Sequence, residues 1–175
     1  MKNKLDLLIS EEQIADKIAE VARLIDKDYL GKELVIVAVM KGAICLTADL
    51  IRCLDTPTSI EMIKASSYGQ RGMSSGELLV SGLSELDLSS KHILLVDDIY
   101  DSGQTLSRLI SQIEEKTPKT LKTLVLLSKK VKREVTYVPD YVLFSIENLF
   151  VVGFGLDYKE HYRELSGIYI LKAVL

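Results

Sequence analysis

Residues Lys91 to Ile110, KHILLVDDIYDSGQTLSRLI, constrain the fold of this 175-residue chain more than any other stretch. Ile93, Leu94, Leu95 and Val96 form an unbroken branched apolar run, which predicts a strand buried on both faces of a parallel sheet. At its carboxyl end come Asp97, Asp98 and Asp101, then Ser102, Gly103, Gln104 and Thr105, then Leu106, Leu109, Ile110 and Ile113 at helical spacing. The pattern is strand, acidic loop, helix. Small residues at a helix start leave backbone N–H groups free, with the positive end of the helix dipole behind them, and so make a seat for phosphate. Carboxylates beside such a seat repel a bare phosphate but suit ribose hydroxyls or a magnesium ion. A phosphorylated sugar is the expected ligand. The plainer alternative is that Asp101 or Ser102 caps the helix and the other acids are solvated.

Elsewhere the chain alternates helix and strand signals. Ser10 and Gln13 form a capping box, with Ile9 and Ile14 as its hydrophobic staple, and Ile14, Ile18, Val21 and Ile25 continue an amphipathic helix that a turn at Gly31 follows. Leu34 to Val39 reads as a buried strand that runs into Met40, Lys41, Gly42 and Ala43, before a helix carrying Ile44, Ala48 and Ile51. A lysine and a glycine at that junction make a second candidate anion site, although such a pair alone is more often a turn. Ser59 to Ala65 is a further strand. Ser66 to Glu77 holds three glycines and four serines in twelve residues, as in a hairpin tip or a lid, and Leu78 to Leu83 returns as a strand.

Leu121 to Leu127 is another strand, ending in Ser128, Lys129, Lys130, Val131, Lys132 and Arg133, a basic cluster that ordinarily marks a solvated loop. Pro139 and Asp140 open a strand from Tyr141 to Ile146, and Gly167 to Leu171 supplies a closing one. Between them lies FVVGFGLDYKEHYR, Phe150 to Arg163, in which Phe150 is by default a core residue.

A chain with 47% hydrophobic residues and no linker or repeat fits one compact domain over residues 1–175. A net charge of −3 argues against nucleic acid as its main partner. No apolar run approaches the roughly 18 residues of a membrane span, and the amino terminus is interrupted by charge, so a soluble cytoplasmic protein without a membrane partner is expected. If Cys45 and Cys53 share a helix they lie about 12 Å apart along its axis, too far for a disulfide, and both read as packing residues. His92 and His161 have no zinc spacing.

VDDIYDSGQTL resembles the phosphoribosyl-pyrophosphate signature of the purine phosphoribosyltransferases of the hypoxanthine-guanine type, and the resemblance runs through four motifs from Val35 to Leu171. It implies a type I phosphoribosyltransferase fold: α/β, a doubly wound, mostly parallel sheet flanked by helices, with a small hood from the two chain ends and a flexible loop. It implies magnesium as cofactor, phosphoribosyl pyrophosphate and a 6-oxopurine base as partners, and a homodimer or homotetramer. By the same resemblance Asp101 is the catalytic base, and Asp97, Asp98, Ser102, Gly103, Gln104 and Thr105 bind the phosphoribosyl group. Lys41, Gly42 and Arg163 bind pyrophosphate, with a cis peptide before Lys41. Ser66, Ser67, Tyr68 and Gly69 begin the flap, which would keep water from an oxocarbenium-like sugar. Lys129, Phe150, Val151 and Asp157 bind the purine, and Asp97, Asp98 and Asp157 are the metal ligands. Lys130 adjoins Lys129, so a one-residue shift of the match would exchange them. Two other readings stand beside the transferase: a regulatory protein that senses phosphoribosyl pyrophosphate on the same fold, and a xanthine-preferring transferase.

Overall fold

The chain opens with strand β1 (Lys4–Ile9) and helix α1 (Glu11–Asp28) in a computed structural model that describes residues 4–67, 78–133 and 135–172. The capping box at the start of α1 is formed: Gln13 N–H donates to Ser10 Oγ at 3.2 Å and Ser10 N–H to Gln13 Oε1 at 2.9 Å. Ile14, Ile18, Val21, Ala22 and Ile25 bury one stripe of the helix. Each large aliphatic side chain so buried stabilises the fold by about 1.5–3 kcal/mol.

The main sheet follows. It contains β2 (Leu34–Met40), β3 (Thr58–Ser67), β4 (Leu78–Ser81), β5 (His92–Tyr100), β6 (Thr120–Lys129) and β7 (Tyr141–Ile146), in the spatial order β4-β3-β2-β5-β6-β7. All neighbours are parallel except β3 and β4. Helix α2 (Ile44–Cys53) connects β2 to β3, and α3 (Gln104–Glu114) connects β5 to β6. The central strands are apolar on both sides because each side carries its own core. Leu34, Ile36, Leu94, Val96 and Leu124 pack with α1 and α2, whereas Val35, Val37, Ile93, Leu95 and Val125 pack with Leu106, Leu109, Ile110 and Ile113 of α3. From β2 the chain moves outward to β3 and then returns to β5 on the other side of β2, so the order reverses between β2 and β5. Sheets of this kind bind ligands in the crevice at the carboxyl ends of the strands beside that switch.

A second, three-stranded antiparallel sheet joins the two ends of the chain: β1, β9 (Ile168–Lys172) and β8 (Val151–Val152), in the order β1-β9-β8. This is the expected hood. Among the described residues no helix is long and apolar enough to cross a membrane.

Three local expectations are corrected. The buried face of α2 is Leu46, Thr47 and Leu50, with Ala43 just before it, and Ile44 is exposed. Both 43, 46, 47, 50 and 44, 48, 51 follow the helical repeat, so periodicity does not choose between them; the first stripe is the face turned to β2 and α1. Cys53 is exposed rather than packed, while Cys45 is half-buried. Strand β3 runs through Ser66 and Ser67, paired with Leu79 and Leu78, so these two serines belong to the strand and not to a loop. Tyr68 and Gly69 of the predicted flap lie outside the described residues.

Candidate active site

Asp97 and Asp98 stand at the carboxyl end of β5, next to the end of β2. In an extended strand, neighbouring side chains point to opposite faces, so both acids are expected to face one ligand only where the strand has ended. The structure differs: β5 continues to Tyr100, with Asp97 opposite Val125 and Ile99 opposite Leu127. The alternation nevertheless changes phase across the two acids. Leu94 and Val96 belong to the α1/α2 core and Ile93 and Leu95 to the α3 core, but beyond the acids Ile99 packs with the former and Tyr100 with the latter. Both carboxyls therefore line one cavity of about 270 Å³, together with Lys41, Gly42, Thr105, Asp157 and Arg163.

Asp98 N–H donates to Asp97 Oδ1 at 2.9 Å. Burial, and then the charge of Asp98, pushes the Asp97 carboxyl well above the usual carboxylate range. Burial likewise raises Asp98, against hydrogen bonds and the nearby Arg163 charge. A buried carboxyl beside a half-buried one resists ionising together with it unless the pair holds a proton or a cation. The main chain approaches Asp98 closely at Gly42, where an added Cβ would lie 1.6 Å from Asp98 Oδ2. The Met40–Lys41 bond before it is cis.

Neither Asp101 nor Ser102 caps α3. The cap position is Gly103, at φ 82°, and it makes no side-chain cap hydrogen bond; Gln104 N–H makes a long bond, 3.4 Å, to Ser102 Oγ. The helix start thus keeps its donors for an anion. Gly103 is required twice over, by its left-handed backbone and because a Cβ would fall 2.3 Å from Val135 Cγ2 and 2.9 Å from the Tyr100 ring.

Asp101 projects from this loop to Lys129 at the end of β6, with Nζ 3.0 Å from Oδ2. The lysine side chain is only 13% exposed. Lys130 faces away and pairs with Glu147 at 2.8 Å. Sequence reasoning missed Arg133, which it assigned to a solvated cluster. Arg133 Nε donates to the Asp101 carbonyl at 2.8 Å, and Nη2 lies 3.2 Å from the Tyr100 carbonyl and 3.1 Å from Ser128 Oγ and also reaches the Lys129 carbonyl. Its guanidinium stacks 4.3 Å from the Tyr100 ring centre. The available signal was that Arg133 is the one planar fork in a run of lysines, and a fork suits carbonyls on two loops where an ammonium does not.

On the other side of the cavity, Arg163 Nη1 donates to the Gly155 carbonyl at 2.7 Å, and Nη2 is 2.8 Å from Asp157 and 3.4 Å from Glu160. Its Nε is buried with no hydrogen-bond partner among the described residues. Glu160, also missed, accepts from Lys41 Nζ at 2.7 Å, and Lys41 holds its carboxyl below the usual range. One acid thus occupies both cations predicted to bind pyrophosphate. The residues between Asp157 and Arg163 include Lys159, Glu160 and Tyr162 at positive φ, which bends the segment tightly enough to bring them together. Phe150 is not core: it is 54% exposed and meets Tyr158 edge to face at 5.8 Å. Val151 is buried in β8 opposite Ile170, and the Phe150 carbonyl accepts from Leu171 N–H.

Among the described residues no three acidic, histidine or cysteine side chains form one metal-binding group, so Asp97, Asp98 and Asp157 do not make a single ligand set. Asp157 is engaged by Arg163 and by Glu160 N–H instead. The donor chemistry still fits magnesium, which takes one or two carboxylates and completes its shell with waters and substrate phosphates. Asp97 and Asp98, adjacent and costly to ionise, suit such a cation.

The sequence pattern of the phosphoribosyl transferase domain matches residues 8–159. The chain belongs to the phosphoribosyl transferase family. Among the relatives of this phosphoribosyltransferase, the hypoxanthine-guanine phosphoribosyltransferase of Aquifex aeolicus is 39% identical over 97% of this chain and 96% of its own. That of Bacillus subtilis is 37% identical, over 98% and 96%. A crystal structure of a hypoxanthine-guanine phosphoribosyltransferase from Bacillus anthracis superposes with a TM-score of 0.89 at 37% identity, covering 98% of this chain and 100% of that one. The doubly wound sheet, the hood and the cavity at the switch point are thus those of a type I phosphoribosyltransferase.

Proposed function

We propose that this phosphoribosyltransferase transfers the ribosyl 5-phosphate of phosphoribosyl pyrophosphate to the nine-position nitrogen of hypoxanthine or guanine, giving IMP or GMP and pyrophosphate in purine salvage. The observation that carries this reading is the Asp101–Lys129 pair, which holds an acceptor and a donor 3.0 Å apart beside the open start of α3. A 6-oxopurine offers the complement to both groups, an N–H at its seven position and a carbonyl at its six position. Asp101 takes the seven-position proton as the bond to the sugar forms, while Lys129 donates to the six-position oxygen. Phe150 offers its exposed ring for stacking on the base, which the Val151 backbone binds.

Ser102, Gly103, Gln104 and Thr105 hold the 5-phosphate at the start of α3. Asp97 and Asp98 orient the ribose hydroxyls, directly or through magnesium. Lys41, the Gly42 main chain and Arg163 receive the pyrophosphate, and Asp157 would hold magnesium there once released from Arg163. When bound, magnesium supplies charge stabilisation on the departing pyrophosphate. Ser66 and Ser67, at the end of β3, lead into the flap that would close over the sugar, with Tyr68 and Gly69 as its first residues. A homodimer or homotetramer, in the cytoplasm, is the assembly that accords with this family.

The test is nucleotide formation by the purified chain with phosphoribosyl pyrophosphate, magnesium and, separately, hypoxanthine, guanine, xanthine, adenine and uracil. IMP and GMP are the expected products. Preference for xanthine, or binding of phosphoribosyl pyrophosphate without product from any base, would overturn the proposal. Asp101→Asn is expected to lower turnover at least about 100-fold while leaving phosphoribosyl-pyrophosphate binding nearly intact.

A further inference from the structure

The catalytic cavity is not the largest concave surface among the described residues. A groove of about 670 Å³ opens at the opposite end of the main sheet, where the amino ends of β2, β3 and β5 emerge. Lys32, Lys91 and Lys119 reach it from three separate segments, and Glu33 is the single acid along it. Lys32 Nζ is partly engaged, donating to the Asp28 carbonyl at 2.8 Å and lying 5.6 Å over the Tyr29 ring. Lys91 and Lys119 are exposed, and their ammonium groups have no partner among the described residues. In a chain whose net charge is −3, three converging lysines against one carboxylate form a local reversal of sign. Ser59 and Ser90 add hydroxyls to the wall.

We propose that this groove is a second binding site, for a small phosphorylated molecule carrying more than one negative charge. The volume fits a ligand of mononucleotide size. Lysines serve phosphate as point charges and need no planar geometry, so three of them on different segments can converge on one polyphosphate group. The wall contains a reporter, His92, which is buried, with Nδ1 2.9 Å from Thr120 Oγ1 and its ring edge-to-face with Tyr29. Burial and then the charges of Lys119 and Lys32 push the His92 imidazole below its usual range, as expected of a group at the floor of a positive groove.

The chain has two histidines, one at each end of the sheet: His92 in the groove and His161 in the segment that bears Arg163. The experiment follows both imidazoles by proton–carbon NMR as sodium tripolyphosphate is added without magnesium, with sodium chloride at matched ionic strength as control. The expected result is a saturating shift of the His92 signals and a rise of its pKa by about half a unit, because a bound anion favours the imidazolium. In the Lys91→Ala/Lys119→Ala variant the affinity read at His92 falls roughly tenfold or more, while the response of His161 is unchanged. Should that variant fail to fold, Lys119→Gln alone is read instead, with about a threefold loss expected. The proposal is overturned if sodium chloride moves His92 as much as tripolyphosphate does, or if the lysine variants respond as the parent.

Discussion

Replacing Arg133 with alanine tests whether the Asp101 loop is held in place from outside. The guanidinium meets four acceptors, but Nη2 has two hydrogens to share among the carbonyls of Tyr100 and Lys129 and Ser128 Oγ, so about three hydrogen bonds exist at once. At about 1 kcal/mol net apiece, with about 0.5–1 kcal/mol from the stack on Tyr100, and discounted because the site is half-buried, the clamp contributes about 2–3 kcal/mol. For a chain of this size the unfolding midpoint is expected to fall by about 5–10 °C. If Asp101 is productively placed only when the clamp is made, kcat/KM falls by about 30- to 150-fold, mostly through kcat. Arg133→Lys keeps the charge but cannot bridge two loops with a fork, and should recover less than half of the lost free energy. The assay is steady-state nucleotide formation beside thermal unfolding of the same samples. Alanine-variant activity within about threefold of the parent, or complete rescue by lysine, would refute the clamp.

Other substitutions probe the rest of the site. Gly42→Ala places a methyl 1.6 Å from Asp98 Oδ2, so the acid pair or the Lys41 loop must shift; transfer activity should fall at least about 100-fold, and near-parent kinetics would remove the close approach from the argument. Glu160→Gln removes the charge held by Lys41 and leaves Arg163 paired with Asp157 alone, and since the Lys41 pair is exposed the KM for phosphoribosyl pyrophosphate should fall by no more than about fivefold. That difference should shrink as salt is added, and an unchanged KM at low salt would count against Glu160 as an occupant of the pyrophosphate site. Asp28→Asn concerns stability alone. Lys122 first, then Tyr141, hold the Asp28 carboxyl below its usual range by hydrogen bonding. Its contribution is therefore fully present above about pH 4 and is lost as pH falls through the lowered folded value. Thermal unfolding should show the variant less stable near neutrality and level with the parent in acid, whereas a gap that persists in acid would contradict the assignment.

How much of this was legible depended on where each residue finds its partners. The strands at Leu34, Leu121 and Tyr141 were read to within a residue or two, because continuous branched apolar runs between turn residues have few other uses. The capping box of α1 was read correctly because all its partners lie within four residues. The short hood strand β8 gave no such signal, since its pairing with β9 depends on residues about twenty positions away. By residue type Phe150 reads as core, and only the resemblance makes it a purine-binding residue; the structure leaves its ring exposed, edge to face with Tyr158.

The site divides in the same way. Sequence alone determined which segments would carry it: the acid pair, the small residues opening α3, the Lys41–Gly42 junction, the basic end of β6 and the Phe150–Arg163 segment. Periodicity places the acid pair and the small residues at a strand end; the Lys41–Gly42 junction is only a second candidate, and the basic end of β6 and the Phe150–Arg163 segment enter through the family resemblance. Tertiary structure decided how they face one another. It turned Asp97 and Asp98 into one cavity through a change of phase in β5, chose Lys129 rather than Lys130 for Asp101, laid Glu160 across Lys41 and Arg163, and set Arg133 against the Asp101 loop. The Asp101–Lys129, Asp101–Arg133 and Lys41–Glu160 relations join residues from about 30 to 120 positions apart, and they act through charge and hydrogen bonding at distances of about 3 Å. Such distances exist only after the sheet has assembled.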